Sequence, residues 1–89
     1  MLLARAYNSR SLVREKKGDL DGAIADWSKA LELDPTFAEA YYMRGTAYHK
    51  KGDIDAAIPD YAAAANLAPG FALPLYKLGN IQAVRGNLD

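Results

Sequence analysis

The sequence has no cysteine and a single histidine, which excludes disulfide bonds and metal sites built from several thiolate or imidazole ligands. It also has no excess charge, because 11 basic residues balance 11 acidic ones. A neutral chain has no general attraction to nucleic acid or to an anionic membrane, so neither is an expected partner. No metal or cofactor is expected. The lack of cysteine is compatible with a cytoplasmic location, which is our expectation.

Long hydrophobic stretches are also missing. The longest run without a charged residue, 61–76, is too short to cross a bilayer and is interrupted by two prolines and a glycine. No Ser-His-Asp set, glycine-rich phosphate loop or cleft with paired carboxylates can be recognised in the sequence. We therefore do not expect an enzyme.

What the sequence does contain is a six-residue stretch that recurs every 34 residues, at 16–21, 50–55 and 84–89. In each copy a basic residue precedes a glycine, and Asp or Asn follows it. Basic side chains suit the negative C-terminal end of a helix, and glycine adopts the left-handed cap conformation at little cost. Asp or Asn then caps the following helix. Turns between helices are therefore predicted at Gly18, Gly52 and Gly86.

The same interval relates the whole chain to itself. Residues 4–37 and 38–71 align without a gap, and 16 of the 34 aligned positions are identical. A fixed period of this length indicates a repeat in which each unit is a pair of helices. We therefore divide a single domain, 1–89, into two full repeats, 4–37 and 38–71, and a leading half-repeat, 72–89.

Helix boundaries follow from the apolar spacing and from the residues that stop helices. In the second helix of the first repeat, Ala23, Trp27 and Ala30 share one apolar face. Proline cannot continue a helix, so Pro35 and Pro69 mark the ends of the second helix of each repeat. The sequence predicts five helices, at 4–17, 20–34, 38–51, 54–68 and 73–85.

Each predicted helix pair places one arginine opposite one aspartate. Arg10 and Asp26 each lie eight residues from the first turn glycine, and Arg44 and Asp60 each lie eight residues from the second. Residues equidistant from the turn of an antiparallel pair lie at similar height along the helices. Both pairs are therefore predicted to form salt bridges within their repeat. The alternative is that all four are independent surface charges.

A 34-residue helix–turn–helix repeat with these residues resembles the tetratricopeptide repeat (TPR). The second repeat has Tyr41, Gly45, Tyr48, Gly52, Ala57, Tyr61, Ala64 and Pro69 at the positions of the family pattern. The first has Tyr7, Ser11, Gly18, Ala23, Trp27, Ala30 and Pro35, but carries Arg14 where the pattern has an aromatic residue. The half-repeat has Leu75, Gly79 and Gly86, with Gln82 at the aromatic position.

The resemblance implies an all-α fold, a right-handed α-solenoid of five helices in antiparallel pairs. It also implies that the first helix of each repeat and the helix of the half-repeat, together called the leading helices, line a concave groove. TPR proteins hold a peptide or a helix of a partner protein in this groove. The structural positions that it assigns are Gly18, Gly52, Gly86, Ala23, Ala57, Trp27, Tyr61, Ala30, Ala64, Pro35 and Pro69. The groove positions that it assigns are Asn8, Leu12, Tyr42, Met43, Thr46, His49, Lys50, Leu73, Tyr76, Lys77 and Asn80.

Two properties of this groove have alternative interpretations. Tyr42 and Tyr76 are typical of binding surfaces, but they could instead pack against neighbouring helices. Basic residues outnumber acidic ones at the groove positions, which favours an acidic peptide, but the same charges also suit helix ends. The resemblance places further charged residues along the same groove, so that the charged positions there are Arg5, Lys16, Lys50 and Lys77, against Glu15 and Glu39.

The half-repeat leaves helix 73–85 without a partner helix on one side. The turn sequence that follows it favours a fragment of a larger scaffold over a helix that closes the array. A cut array exposes apolar residues, and we predict Leu78, Ile81 and Leu75 on this open face. Self-association, in which helix 73–85 contacts another copy of the chain, is therefore an alternative to peptide binding.

Overall fold

The computed structural model describes residues 2–86, which form five α-helices joined by short turns. Each helix packs on the helices that precede and follow it in the chain. The five predicted helices are confirmed, and their ends differ from the predicted ends by two residues or fewer. Of the third predicted turn, Gly86 ends the last helix and 87–89 lie outside the described residues. The helices are α1 (Leu2–Lys16), α2 (Leu20–Leu33), α3 (Ala38–Lys50), α4 (Ile54–Leu67) and α5 (Ala72–Gly86).

The turns from α1 to α2 and from α3 to α4 are built in the same way. Gly18 and Gly52 have φ angles of 85° and 86°, in the left-handed region that favours glycine. In the first turn the Asp19 N–H donates to the Arg14 carbonyl at 2.9 Å, in the Schellman arrangement. The side chains of Asp19 and Asp53 then accept hydrogen bonds from the first turns of α2 and α4, at 2.9 and 3.2 Å. The repeated turn sequence therefore both ends and starts a helix.

A different turn returns the chain from α2 to α3. The Asp34 N–H donates to the Ala30 carbonyl at 2.8 Å, which closes the end of α2. The Asp34 carboxylate accepts hydrogen bonds from the N–H and the hydroxyl of Thr36, at 3.1 and 2.7 Å. Pro35 lies between them, and Pro69 has the same place after α4. This return brings α3 against α2.

One aromatic ring and two alanines of α2 and of α4 form the core. Trp27 and Tyr61 are completely buried, and so are the alanines one turn before and one turn after each. On the helix that faces Tyr61, a β-carbon at Gly45 would lie 3.0 Å from the tyrosine ring. A small residue is therefore required there for the two helices to approach closely. The buried alanines are Ala23, Ala30, Ala57 and Ala64.

Both predicted arginine–aspartate pairs are confirmed, and both are bidentate, an arrangement called a fork below. Arg10 donates from Nε and Nη2 to the two carboxylate oxygens of Asp26, each at 2.8 Å. Arg44 donates in the same way to Asp60, at 2.8 and 2.7 Å. Both aspartates are buried. A buried carboxylate needs hydrogen bonds from a cation, and these forks provide them while joining the two helices of a repeat.

Arg14, which departs from the family pattern, also contacts Asp26. Its Nε lies 3.2 Å from Asp26 Oδ2, so this carboxylate faces two guanidinium groups. The hydrogen bond from Arg10, followed by the charges of Arg10 and Arg14, holds the pKa of Asp26 below its usual value against the opposing effect of burial. In the second repeat Arg44 donates instead to the Ser28 hydroxyl at 3.1 Å, which links its fork to α2.

The last helix, α5, packs on α4 through residues that were predicted on its open face. Ile81 is buried against Ala57 and Tyr61, and Leu78 packs on the same cluster. The prediction that Leu78 and Ile81 are exposed is therefore wrong, because this side of a leading helix is covered by the preceding repeat. The third residue, Leu75, is exposed as predicted. The large exposed apolar residues of α5 are Leu73, Leu75, Tyr76 and Val84.

Two further findings concern the described part of the chain as a whole. None of the helices within residues 2–86 combines the length and the apolar character needed to cross a bilayer. Over the same range, no three His, Asp or Glu side chains converge in the manner of metal ligands.

Two glycines at equivalent positions of α3 and α5 should respond differently to alanine. Gly45→Ala places a methyl group against the Tyr61 ring and should cost about 1–3 kcal/mol of unfolding free energy. Gly79 has open space around its β-carbon position, so Gly79→Ala should stabilise α5 by about 0.5–1 kcal/mol. Urea unfolding followed by circular dichroism measures both. Equal effects of the two substitutions would contradict the close approach at Gly45.

The fork around Asp26 should make stability depend on pH. A carboxyl group whose folded-state pKa is lowered stabilises the fold above its unfolded pKa of about 4, and this contribution is lost as the pH falls through the folded value. Asp26→Asn should therefore be less stable than the wild type at neutral pH, and the difference should shrink below about pH 4. Thermal unfolding over this range measures it, with the exposed Glu32→Gln as the control. A difference that stays constant into the acid range would refute the prediction.

Candidate functional site

The predicted groove residues lie on α1, α3 and α5 and differ widely in exposure. Leu12 and Met43 pack partly against the core around Trp27, so the positions of their side chains are fixed by this packing. The freely exposed side chains are found at the end of α3 and on α5. By burial, Lys50, Leu73, Tyr76 and Asn80 are exposed, Leu12, Tyr42, Met43, Thr46, His49 and Lys77 are half-buried, and Asn8 is buried.

The prediction that Asn8 lines the groove is wrong. Its residue surface is 8% exposed, and its Oδ1 accepts a hydrogen bond from Trp27 Nε1 at 2.9 Å. A buried indole N–H needs an acceptor, and Asn8 on the facing helix supplies it. The second repeat has Tyr61 in place of Trp27, with no indole N–H to satisfy, and it carries Tyr42 at the position of Asn8.

Tyr42 and Tyr76 occupy equivalent positions but have different surroundings. The Tyr42 ring centroid lies 5.8 Å from that of Tyr61 and 5.1 Å from that of Phe71, with the second pair edge to face. Packing against neighbouring helices, the alternative interpretation, therefore describes Tyr42. Tyr76 is 64% exposed. Of these two tyrosines, Tyr76 offers the larger surface to a ligand.

A polar cluster holds the histidine at the surface of α3. The Tyr61 hydroxyl lies 3.4 Å from His49 Nδ1 and 3.5 Å from Thr46 Oγ1. The His49 and Tyr61 rings also meet edge to face, with centroids 6.3 Å apart. Burial raises the pKa of the Tyr61 hydroxyl above its ordinary value. The imidazole of His49 therefore lies against a buried, uncharged aromatic side chain.

Salt bridges join one repeat to the next near the turns. Lys50 Nζ on α3 lies 3.2 Å from Glu15 Oε2 on α1. Arg85 Nη2 on α5 donates to Asp55 Oδ1 on α4 at 2.7 Å. Lys50 was predicted as a groove cation, and the structure shows that its charge is balanced by Glu15.

A pocket of about 170 Å³ lies between α3, α4 and α5. The resemblance assigns His49, Asn80 and Val84 to the groove, whereas Ile54 and Arg85 were not predicted as site residues. The internal repeat contains a signal that could have found it, because His49 and Val84 stand where Glu15 and Lys50 form a salt bridge one repeat earlier. The pocket is lined by His49, Ile54, Asn80, Ile81, Val84 and Arg85.

Family models for TPR repeat and Tetratricopeptide repeat match the sequence over residues 13–52 and 38–71 respectively. The chain belongs to the tetratricopeptide-repeat family. TPR repeats generally mediate protein–protein interactions, and proteins built from them are typically binding modules and not enzymes. The sequence has no significant match among curated proteins.

Solved structures share the fold of this TPR chain. Two crystal structures of MamA superpose with TM-scores of 0.90 and 0.88, at 28% identity and over 93% of this chain. The chain spans about half the length of those structures, 48% and 45%. A tetratricopeptide repeat domain protein from Salinibacter ruber superposes over 97% of this chain and 98% of its own, with a TM-score of 0.73 and 22% identity, which shows the fold alone. The expected all-α, right-handed solenoid is therefore confirmed.

Proposed function

We propose that this TPR domain binds a peptide or a short helix of a partner protein on the concave side formed by α1, α3 and α5. The observation that carries the proposal is the apolar surface that α5 exposes at groove positions. Tyr76 is 64% exposed and Leu73 is 48% exposed. Because the two residues are three positions apart on a helix, their side chains are neighbours on its surface. Exposed aromatic and aliphatic side chains that adjoin one another are typical of binding surfaces.

The half-buried groove residues support the same proposal. Leu12 and Met43 are held by the core around Trp27, and His49 is held by Tyr61. Side chains that are already ordered lose little conformational freedom when a ligand binds, so less of the binding energy is used to order them. The concave side therefore offers ordered side chains and, on α5, exposed anchors.

The charges favour an acidic peptide. Lys50 is balanced by Glu15, which leaves Arg5, Lys16 and Lys77 against Glu39 at the charged groove positions. Cations that flank an apolar surface steer acidic segments toward it and add to their selectivity. We therefore propose a ligand that combines apolar anchor residues with acidic neighbours.

Removal of the exposed tyrosine should weaken peptide capture without unfolding the domain. Peptides selected by phage display against the immobilised chain provide the ligands, and isothermal titration measures their affinity. Tyr76→Ala should weaken binding by about 2 kcal/mol, or roughly thirtyfold, because an exposed aromatic anchor is lost. The control is Leu67→Ala, at an exposed leucine on α4. Failure to select any peptide, or equal affinities of the two variants, would contradict the proposal.

The proposed preference for acidic peptides is tested separately, by reversing the charge at Lys77. Lys77→Glu should weaken binding of an acidic peptide, and the loss should be larger at low salt because added ions screen exposed charges. Lys29→Glu, on α2, makes the same charge change outside the groove positions. If the loss for Lys77→Glu matches that of the control at every salt concentration, the ligand is not chosen by charge.

A second candidate function is self-association through α5. The observation that favours it is on the side of α5 away from α4, where Leu75 is 56% exposed and the space beside Gly79 is empty. In the second repeat the equivalent glycine, Gly45, has the Tyr61 ring against it. A further copy of the chain could cover the corresponding surface of α5.

Light scattering over a range of concentrations tests self-association. The apparent mass of the wild type should rise with concentration, whereas Leu75→Lys should remain monomeric because a charge is placed in the contact. Leu67→Lys, on α4, is the matched control and should behave as the wild type. A wild type that stays monomeric at the highest concentration would refute this candidate.

A further inference from the structure

The two intervals between neighbouring leading helices differ at one pair of positions. Between α1 and α3, Glu15 and Lys50 form a salt bridge with a distance of 3.2 Å. The side chain of Glu15 is only 13% exposed and that of Lys50 is 55% exposed, so the carboxylate lies within this interval and the lysine reaches it from the solvent side. Between α3 and α5 the same positions hold His49 and Val84, which cannot form an ion pair. The pocket of about 170 Å³ lies in this second interval.

The inner surface of the pocket is apolar. Ile81 is 5% exposed, Ile54 is half-buried against the same core, and Val84 forms an outer wall. A cavity of about 150 Å³ lined by aliphatic and aromatic side chains is large enough for benzene. The pocket therefore has the size for one branched aliphatic or aromatic side chain and no buried charge to receive a charged one.

The charges around the pocket are already balanced. Arg85 at its edge donates to Asp55 at 2.7 Å, and Lys50, next to His49 in sequence, is paired with Glu15. A charged ligand group that entered the apolar interior of the pocket would lose its hydration and find no buried charge there to replace it. An uncharged side chain does not incur this cost.

We infer that this pocket is a subsite for one uncharged apolar side chain of a bound peptide, and that the interval between α1 and α3 has no such subsite. The inference rests on the proposed binding of a peptide to the concave side, to which His49 and Asn80 are assigned. His49, held by Tyr61 at 3.4 Å, and the exposed Asn80 provide polar atoms at the edge for the peptide backbone. The pocket selects a single residue of the ligand by its size and by its lack of charge.

Capped amino acids test the pocket without any knowledge of the natural ligand. The probes are N-acetyl-leucinamide and N-acetyl-phenylalaninamide, with the amides of N-acetyl-lysine and N-acetyl-aspartate as charged counterparts. Titration of the full chain is followed by amide chemical shifts. The apolar probes should shift signals of 49, 54 and 80–85 in a saturable way, and the charged probes should not. Shifts that are absent, located elsewhere or equal for all four probes would overturn the inference.

Substitutions that introduce the Glu15–Lys50 pair at the equivalent positions of α3 and α5 provide a second test. His49→Glu combined with Val84→Lys reproduces the Glu15–Lys50 pair and should weaken binding of the apolar probes at least about tenfold. Val84→Lys alone should weaken it as well, which covers the case in which the double variant does not fold. Val13→Lys makes the same change at an exposed valine of α1 and should leave binding unchanged. Unchanged binding in folded Val84 variants would overturn the inference.

Peptides separate this inference from the function on which it rests. If selected peptides bind the wild type and the double variant equally, the pocket is not a subsite, although the concave side still binds peptides. If no peptide binds but the apolar probes fill the pocket and are expelled by Val84→Lys, the pocket's selectivity for an uncharged apolar group stands, whereas the proposed peptide-binding function fails.

Discussion

The packing of one aromatic ring in each repeat controls the geometry of the whole chain. Trp27 and Tyr61 are completely buried, and at Gly45 there is no room for a β-carbon beside the Tyr61 ring. Because each helix in residues 2–86 packs mainly on its neighbours in the chain, a change in this contact alters the position of the adjoining helices directly. The Tyr61 ring also touches the half-repeat that follows, since it packs with Ile81. The distance between α3 and α4 therefore also affects where α5 packs.

The buried aspartates add orientation to this packing. A carboxylate removed from water is costly unless cations and hydrogen bonds surround it, and a fork satisfies both carboxylate oxygens in a single geometry. Asp26 and Asp60 therefore fix how far each helix pair can slide and rotate. The two repeats complete the network differently. Arg14 adds a second cation beside Asp26, whereas Arg44 adds a bond to Ser28 in the preceding helix.

Most of the fold could be predicted from the sequence, because the turn chemistry and the 34-residue period are local properties that repeat. The forks could be predicted because equal distance from a turn determines height along a helix pair. Which side of a leading helix is open could not be predicted in the same way, since such a helix packs on helices before and after it and apolar residues occupy both sides. Leu78 and Ile81 were misplaced for this reason. Asn8 was misplaced because a groove position of the family was carried over to it, although the indole of Trp27 in this chain requires an acceptor.

The positions that hold the fold are repeated, and the positions that face the groove are varied. The forks, the turn glycines and the core alanines are the same in both repeats, whereas Leu12 becomes Thr46 and Glu15 becomes His49. A few buried contacts determine the framework, so the other positions of the leading helices can change with little cost to the fold. Each interval then acquires its own surface, a salt bridge at Lys50 or an apolar pocket at Val84. Under the proposed function, selectivity for a ligand therefore arises between the repeats, where two different leading helices meet, and not within any single one.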